Sequence, residues 1–224
     1  MVARLVAGCL VLAVVTTPAV GQDARQIGLK AGVNFATAGG EDVDEVSSRT
    51  AFSAGFFAAI PLSSAIAIQI EALYSGKGPT FDADGSEAQV KVDYFEIPLL
   101  FRVNFPTGGS SGFRSLPQQA SSGSRIVPHL YAGPAVGFKV GCKVTGLSAG
   151  DMDCSEQTFE GAHVVSGDYS GILGGGLDIG DFTVGARYSF SFNSFISAGS
   201  ESSESIDVKH RVISIYAGYG FRLP

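Results

Sequence analysis

The sequence has no tryptophan, and only 16% of its residues are charged. Past residue 21, no stretch stays apolar for the roughly 18 residues that a membrane-spanning helix needs. Thirty glycines in 224 residues sit badly with a helical enzyme, and the hydrophobic content of 45% does not suit a disordered chain. Cysteine is scarce, at three. Positive charge is also short: the formal net charge is −6, which leaves no basic excess to draw nucleic acid.

What is present is a period of two. In the last stretch, KHRVISIYAGYGFRLP, residues Ile213, Ile215, Ala217, Tyr219, Phe221 and Leu223 share one face. Ser214, Tyr216, Gly218, Gly220 and Arg222 share the other. This is strand alternation, long enough to cross a bilayer at a tilt and far too polar for a spanning helix. An edge strand of a soluble sandwich is the alternative.

The N-terminus reads as a secretory signal over residues 1–21. Arg4 supplies the positive region, Leu5 to Val15 the apolar run, and Ala19-Val20-Gly21 the small-x-small cleavage site. Val6-Ala7-Gly8-Cys9 imitates a lipoprotein box but precedes the apolar run instead of following it. Cys9 therefore leaves with the signal. Cys142 and Cys154 remain, flanking a polar segment, and read as one loop disulfide, with free thiols as the alternative. A metal site would need more ligands, and His163 is the one nearby.

Over residues 22–224 the alternation predicts eight strands: 26–36, 51–62, 65–77, 90–105, 126–143, 168–179, 182–193 and 209–224. Phe57 interrupts the second, and Pro98 in the fourth predicts a bulge. Gly180-Asp181 predicts a two-residue hairpin. Long polar connections alternate with short ones, and residues 106–125 break that rule.

Residue size decides which face points inward. One face carries Phe, Ile, Leu and Tyr in rows, and the other carries Gly, Ser, Asn, Lys, Arg and Glu. An eight-stranded interior is narrow enough for side chains to fill, so the aromatic rows would overfill it. Turned outward into lipid they fit, with Phe105, Phe182, Phe192, Tyr219 and Phe221 placed for interfacial girdles. The fold class expected is all-β, an eight-stranded antiparallel up-and-down transmembrane β-barrel.

GLKAGVNFA, YFEIPLLFRVNF, PHLYAGPAVGFKVG, the GGGLDIG-DFTVGARYSF hairpin and the closing IYAGYGF resemble the porin-family outer-membrane β-barrel domain across the mature chain. The resemblance implies a cell outer-membrane location and says little about activity. Tyr216, Gly218, Phe221 and Leu223 resemble the C-terminal assembly signal of such barrels, which implies the barrel-assembly machinery as a partner. The family usually ends on an aromatic residue, whereas here Leu223-Pro224 follow Phe221.

The inward face carries Lys30, Glu71, Glu96, Arg102, Lys139, Asp178, Arg187 and Arg222. Opposite charges in one narrow space should pair, because an unpaired buried charge is costly. Glu71, Glu96, Arg102 and Arg187 are expected at the core of this network, which plugs the lumen; a conducting path is the alternative. A lipid-modifying enzyme would draw on His210 with Asp207 and Ser202, Ser203 or Ser205, while His129 falls at the wrong end. The acidic stretches Glu41 to Glu45 and Asp82 to Glu87 are expected to be solvated, although carboxylate clusters also suit Ca²⁺ or cation bridges to lipopolysaccharide. The reading is a monomeric surface barrel among outer-membrane lipid and lipopolysaccharide, with no cofactor, no metal and no catalytic residue.

Overall fold

The computed structural model describes residues 26–40, 47–83, 86–105, 126–146, 151–154, 163–197 and 208–222. The signal segment, the 41–46 and 106–125 connections and Leu223 lie outside the described residues. Twelve strands are described: β1 (Gln26–Gly39), β2 (Arg49–Pro61), β3 (Ile66–Lys77), β4 (Thr80–Ala83), β5 (Ser86–Asn104), β6 (Ile126–Thr145), β7 (Met152–Asp153), β8 (His163–Val164), β9 (Gly167–Ile179), β10 (Phe182–Ser191), β11 (Ile196–Ser197) and β12 (Lys209–Arg222).

Eight of them close a ring in the order β1, β2, β3, β5, β6, β9, β10, β12, with β12 pairing back to β1. Every ladder in the ring is antiparallel. The result is the closed up-and-down barrel that the periodicity predicts. Closure leaves no barrel edge, so strand N–H and C=O groups find partners without water. One end holds Gln26 and Arg222 and is the terminus end; the other is the loop end. At the loop end β4 folds onto the start of β5, β7 pairs with the end of β6, and β8 pairs with β11 as a separate ribbon.

The alternation sorts as size and polarity demand. Leu29 is 51% exposed, Phe56 65%, Leu130 59% and Ile215 58%, all on the outer face. Between them in sequence, Lys30, Glu71, Arg102, Arg187 and Ser214 are buried inside. In water this is an inside-out protein; in hydrocarbon it is the stable arrangement.

Three local expectations need correction. Phe57 does not interrupt β2: it keeps the inward parity and is 5% exposed. Its ring is accommodated by glycines on β1 and, one strand further, β12, since a Cβ at Gly28 would lie 2.6 Å from the Phe57 ring and one at Gly218 3.5 Å. Pro98 makes no bulge. Ile70↔Leu99 and Leu73↔Glu96 keep one register on either side of it, and the irregularity lies instead between Asp93 and Tyr94 on the β6 side. The missing N–H of proline removes a donor without adding a residue, so register survives. The polar connections are also partly ordered: Thr80–Ala83 extends the β5 edge, and the cysteine segment contributes β7 and β8. The Gly180-Asp181 turn joins Ile179 to its partner Phe182, with Gly180 at φ +65°, a left-handed backbone that suits glycine.

Candidate functional site

The inward face fills the lumen in three storeys. At the terminus end stands Arg102. Its Nε donates to Asn104 Oδ1 at 2.8 Å and its Nη1 to Gln69 Oε1 at 3.2 Å. Its Nη2 pairs with the Asp178 carboxylate and lies 3.2 Å from His129 Nδ1. His129, 3% exposed, thus belongs to this storey, at the end of the barrel that its sequence position implies.

Glu71 occupies the middle. Its Oε1 accepts from Lys30 Nζ at 2.7 Å and from Gln69 Nε2 at 2.6 Å, and its Oε2 accepts from Arg187 Nη1 at 3.0 Å. Gln69 and Glu71 point the same way because they are two apart on one strand. The Lys30 ammonium stands 3.8 Å from the centre of the Tyr216 ring and 5.6 Å from that of Tyr131. The Tyr131 hydroxyl donates to Tyr216 Oη at 3.0 Å. Both rings lie over glycines: a Cβ at Gly174 would meet Tyr131 at 2.6 Å, and one at Gly185 would meet Tyr216 at 2.5 Å. Above them Asn34 donates to Ser75 Oγ at 3.1 Å and to Gly76 O at 3.0 Å, and accepts from Ser214 Oγ at 2.8 Å.

At the loop end Lys77 lies between two carboxylates, 2.5 Å from Glu96 Oε1 and 2.5 Å from Asp168 Oδ2. Tyr94 is beside it, with its hydroxyl 3.3 Å from His210 Nε2. Phe195 closes this storey by stacking on His210, ring centres 4.0 Å apart and planes 13° apart. The N–H of Phe195 donates to Val208 O at 3.0 Å, and its carbonyl accepts from Val165 N–H at 2.8 Å.

The structure therefore distributes the four residues expected at the core. Arg187 joins Glu71, Arg102 joins Asp178, and Glu96 joins Lys77. Lys139 takes the inward parity opposite Tyr94 but is half-buried. Arg222 pairs with Gln26 in register, and its side chain lies outside the described residues. Lys77, Asp168 and His129 are central yet absent from the charge list read from the sequence. Their inward parity is the signal that finds them. Of the assembly-signal residues, Tyr216 points inward, Phe221 outward at 52% exposure, and Gly218 faces Thr183 and Phe57.

Cys142 and Cys154 form a disulfide that ties the end of β7 to β6. It joins Val92, Tyr94 and Val144 in a small apolar cluster at the loop end.

His210 is 1% exposed beneath Phe195, and Asp168 is engaged with Lys77 instead of orienting an imidazole toward a nucleophile. Ser202, Ser203, Ser205 and Asp207 lie outside the described residues. Among the described residues, no three His, Cys, Asp or Glu side chains stand close enough to share a metal ion.

A family model described as outer membrane protein beta-barrel domain matches residues 20–197. No curated relative matches the chain. Among solved structures the chain is similar to Ail, the attachment invasion locus protein of Yersinia pestis, at 11% identity over 88% of this chain and 99% of that one, TM-score 0.44. It is similar to Neisserial surface protein A at 11% identity, covering 87% of this chain and 97% of that one, TM-score 0.44. The outer membrane enzyme PagL is similar at 14% identity over 87% of this chain and 98% of that one, TM-score 0.39. Likeness at this level brings none of their activities with it.

Proposed function

The chain belongs to the outer membrane protein beta-barrel domain family and resides in the outer membrane, and from that premise we propose that it is a plugged, monomeric surface barrel with a structural or surface-interaction role. The observation that carries this reading is the ion-paired lumen. Arg102 with Asp178, Glu71 with Lys30 and Arg187, and Lys77 with Glu96 and Asp168 stand at successive levels. Between the first two levels there is a cavity of only about 10 Å³, the size of one water molecule. Moving solute through would mean separating several buried ion pairs, each expensive to break.

The loop end supports the surface role. With both termini on the periplasmic side, it is the extracellular end, and it is built up by β4, β7, the disulfide and the β8–β11 ribbon. On its outward face Lys91 stands directly opposite Lys143, and Arg211 is exposed on β12. Like charges opposite one another on a sheet repel unless something anionic joins them, which suits lipopolysaccharide phosphates. In this reading the barrel-assembly machinery recognises the closing strand through Tyr216, Gly218, Phe221 and Leu223.

Planar-bilayer conductance of the refolded barrel tests the proposal, after boiled and unboiled samples are shown to migrate differently on a gel. Heat-modifiable migration without channel steps is the expected result. Steady single-channel steps from the intact protein would replace the plug with a narrow pore.

A further inference from the structure

Strands β5 and β6 are the longest in the barrel and run past its apolar band at the loop end. On β5 the outward row Val103, Phe101, Leu99, Ile97 and Phe95 is followed by Asp93 and Lys91. Lys91 thus stands just beyond the hydrocarbon, at the level of lipid headgroups.

Strand β6 brings a second lysine to that level by changing face. Its pairing steps from Tyr94↔Lys139 to Asp93↔Gly141, so Val140 is an extra residue. Below the step Tyr131 and Ala135 are buried inside, and above it Cys142 and Val144 are. Without the extra residue Lys143 would share the inward parity of Tyr131. With it, Lys143 is exposed on the outer face, directly opposite Lys91. Side chains so placed have Cβ atoms about 5 Å apart, and like charges there repel. Among the described residues neither lysine has a hydrogen-bond or ion-pair partner. The neighbouring carboxylates do not supply one. Asp93 is engaged by Tyr74 and Arg49, and Asp153, in register with Lys143 on β7, makes no ion pair with it.

The surface just below the lysines is apolar. Phe95 stands opposite Phe138, 42% and 54% exposed, with Val140 above Phe138 at 58%. A ligand that suits both levels has a strongly anionic head and apolar tails. A phosphate monoester carries about two negative charges, which matches two ammonium groups, whereas the phosphodiester of an ordinary phospholipid carries one.

We propose that Lys91 and Lys143 form a fixed binding site for one phosphate monoester of lipid A, with an acyl chain of the same molecule lying along Phe95, Phe138 and Val140. The site rests on the surface role proposed above and gives it a defined place, one lipid per barrel and a choice of lipid. Arg211, exposed on β12, lies well round the ring from β5 and β6 and takes no part.

The test uses the full-length mature barrel, refolded in detergent from denatured chain so that no lipid is carried over. Native mass spectrometry follows the binding of lipid A, of the same lipid A stripped of its phosphates, and of phosphatidylglycerol. One lipid A per barrel is expected, held about thirtyfold more tightly than the stripped form. The Lys91→Gln, Lys143→Gln double variant should lose that preference, and each single change should weaken binding about fivefold. Arg211→Gln should bind as the parent does. Neither lysine pairs within the barrel, so all these variants should keep heat-modifiable migration on a gel. The proposal is overturned by equal binding of phosphatidylglycerol, which would mean general attraction of anionic headgroups. It is equally overturned by undiminished lipid A binding in the double variant, or by a loss in Arg211→Gln as large as in the pair. Channel steps in a bilayer would open the lumen and leave this binding unchanged, so the plug and the lipid site fail separately.

Discussion

Lys30 and Glu71 meet at 2.7 Å although their strands, β1 and β3, are not neighbours in the barrel. Strand β2 lies between them and contributes Gly55 opposite Lys30. With no side chain in the way, the lysine reaches past β2 to the carboxylate. Arg187 approaches the same carboxylate from β10. Glu71 thus ties three strands from around the ring to one point.

Glu71→Gln should therefore be the most damaging change among the lumen acids. It leaves Lys30 and Arg187 buried without their counter-charge, a loss of about 3–5 kcal/mol. Urea unfolding in detergent micelles measures it. Combining Glu71→Gln with Lys30→Met should recover part of the loss, because the second change removes one stranded charge.

Glu96→Gln should destabilise less, by about 1–3 kcal/mol, since Lys77 keeps Asp168. A loss as large as that of Glu71→Gln in the same unfolding experiment would mean that the two storeys act as one network.

Ile215→Arg tests the outer face. Ile215 is 58% exposed near the middle of β12. On a protein facing water this change is almost neutral, whereas in lipid an arginine near mid-bilayer costs about 2–4 kcal/mol. Refolding into vesicles at a series of urea concentrations separates the two outcomes.

Cys142→Ser should free the end of β7 and leave the barrel intact. The bridge closes a loop with a sequence separation of 12, and bridges of that size contribute about 3 kcal/mol. Faster proteolysis of the loop-end segment, with unchanged heat-modifiable migration on a gel, is the expected pattern.

Much of the barrel was legible because a period of two shows on a single strand. Leu29 outward and Lys30 inward follow from sequence alone, and so does the sorting of bulky against small residues that turns the barrel inside out. The exceptions arise where meaning depends on a neighbour. Phe57 looked like an interruption because the glycines that receive it, Gly28 and Gly218, sit on another strand and at the far end of the chain. Pro98 looked like a bulge because proline in a strand usually signals one, yet its neighbouring ladders keep step without it. The ion pairs were harder still. Inward parity shows which charges share the lumen, but the stagger of the strands decides which of them meet. Glu96 therefore joins Lys77 on the next strand instead of Arg102 on its own. Asp168 and Lys77 have inward parity at their strand ends, but neither strand alone shows that the two meet.

The ladder from Gln26↔Arg222 to Gly39↔Lys209 has a consequence for biogenesis. The other ring ladders join strands consecutive around the barrel and near one another in sequence, so each can form once its own hairpin exists. This seam brings the first described strand to the last, with the longest stretch of chain to be gathered in between. Until it zips, the lumen is an open trough, and both border strands present unpaired backbone to whatever lies alongside. Whether the finished molecule is a sealed wall or a leak in the membrane thus rests on this one ladder between β1 and β12.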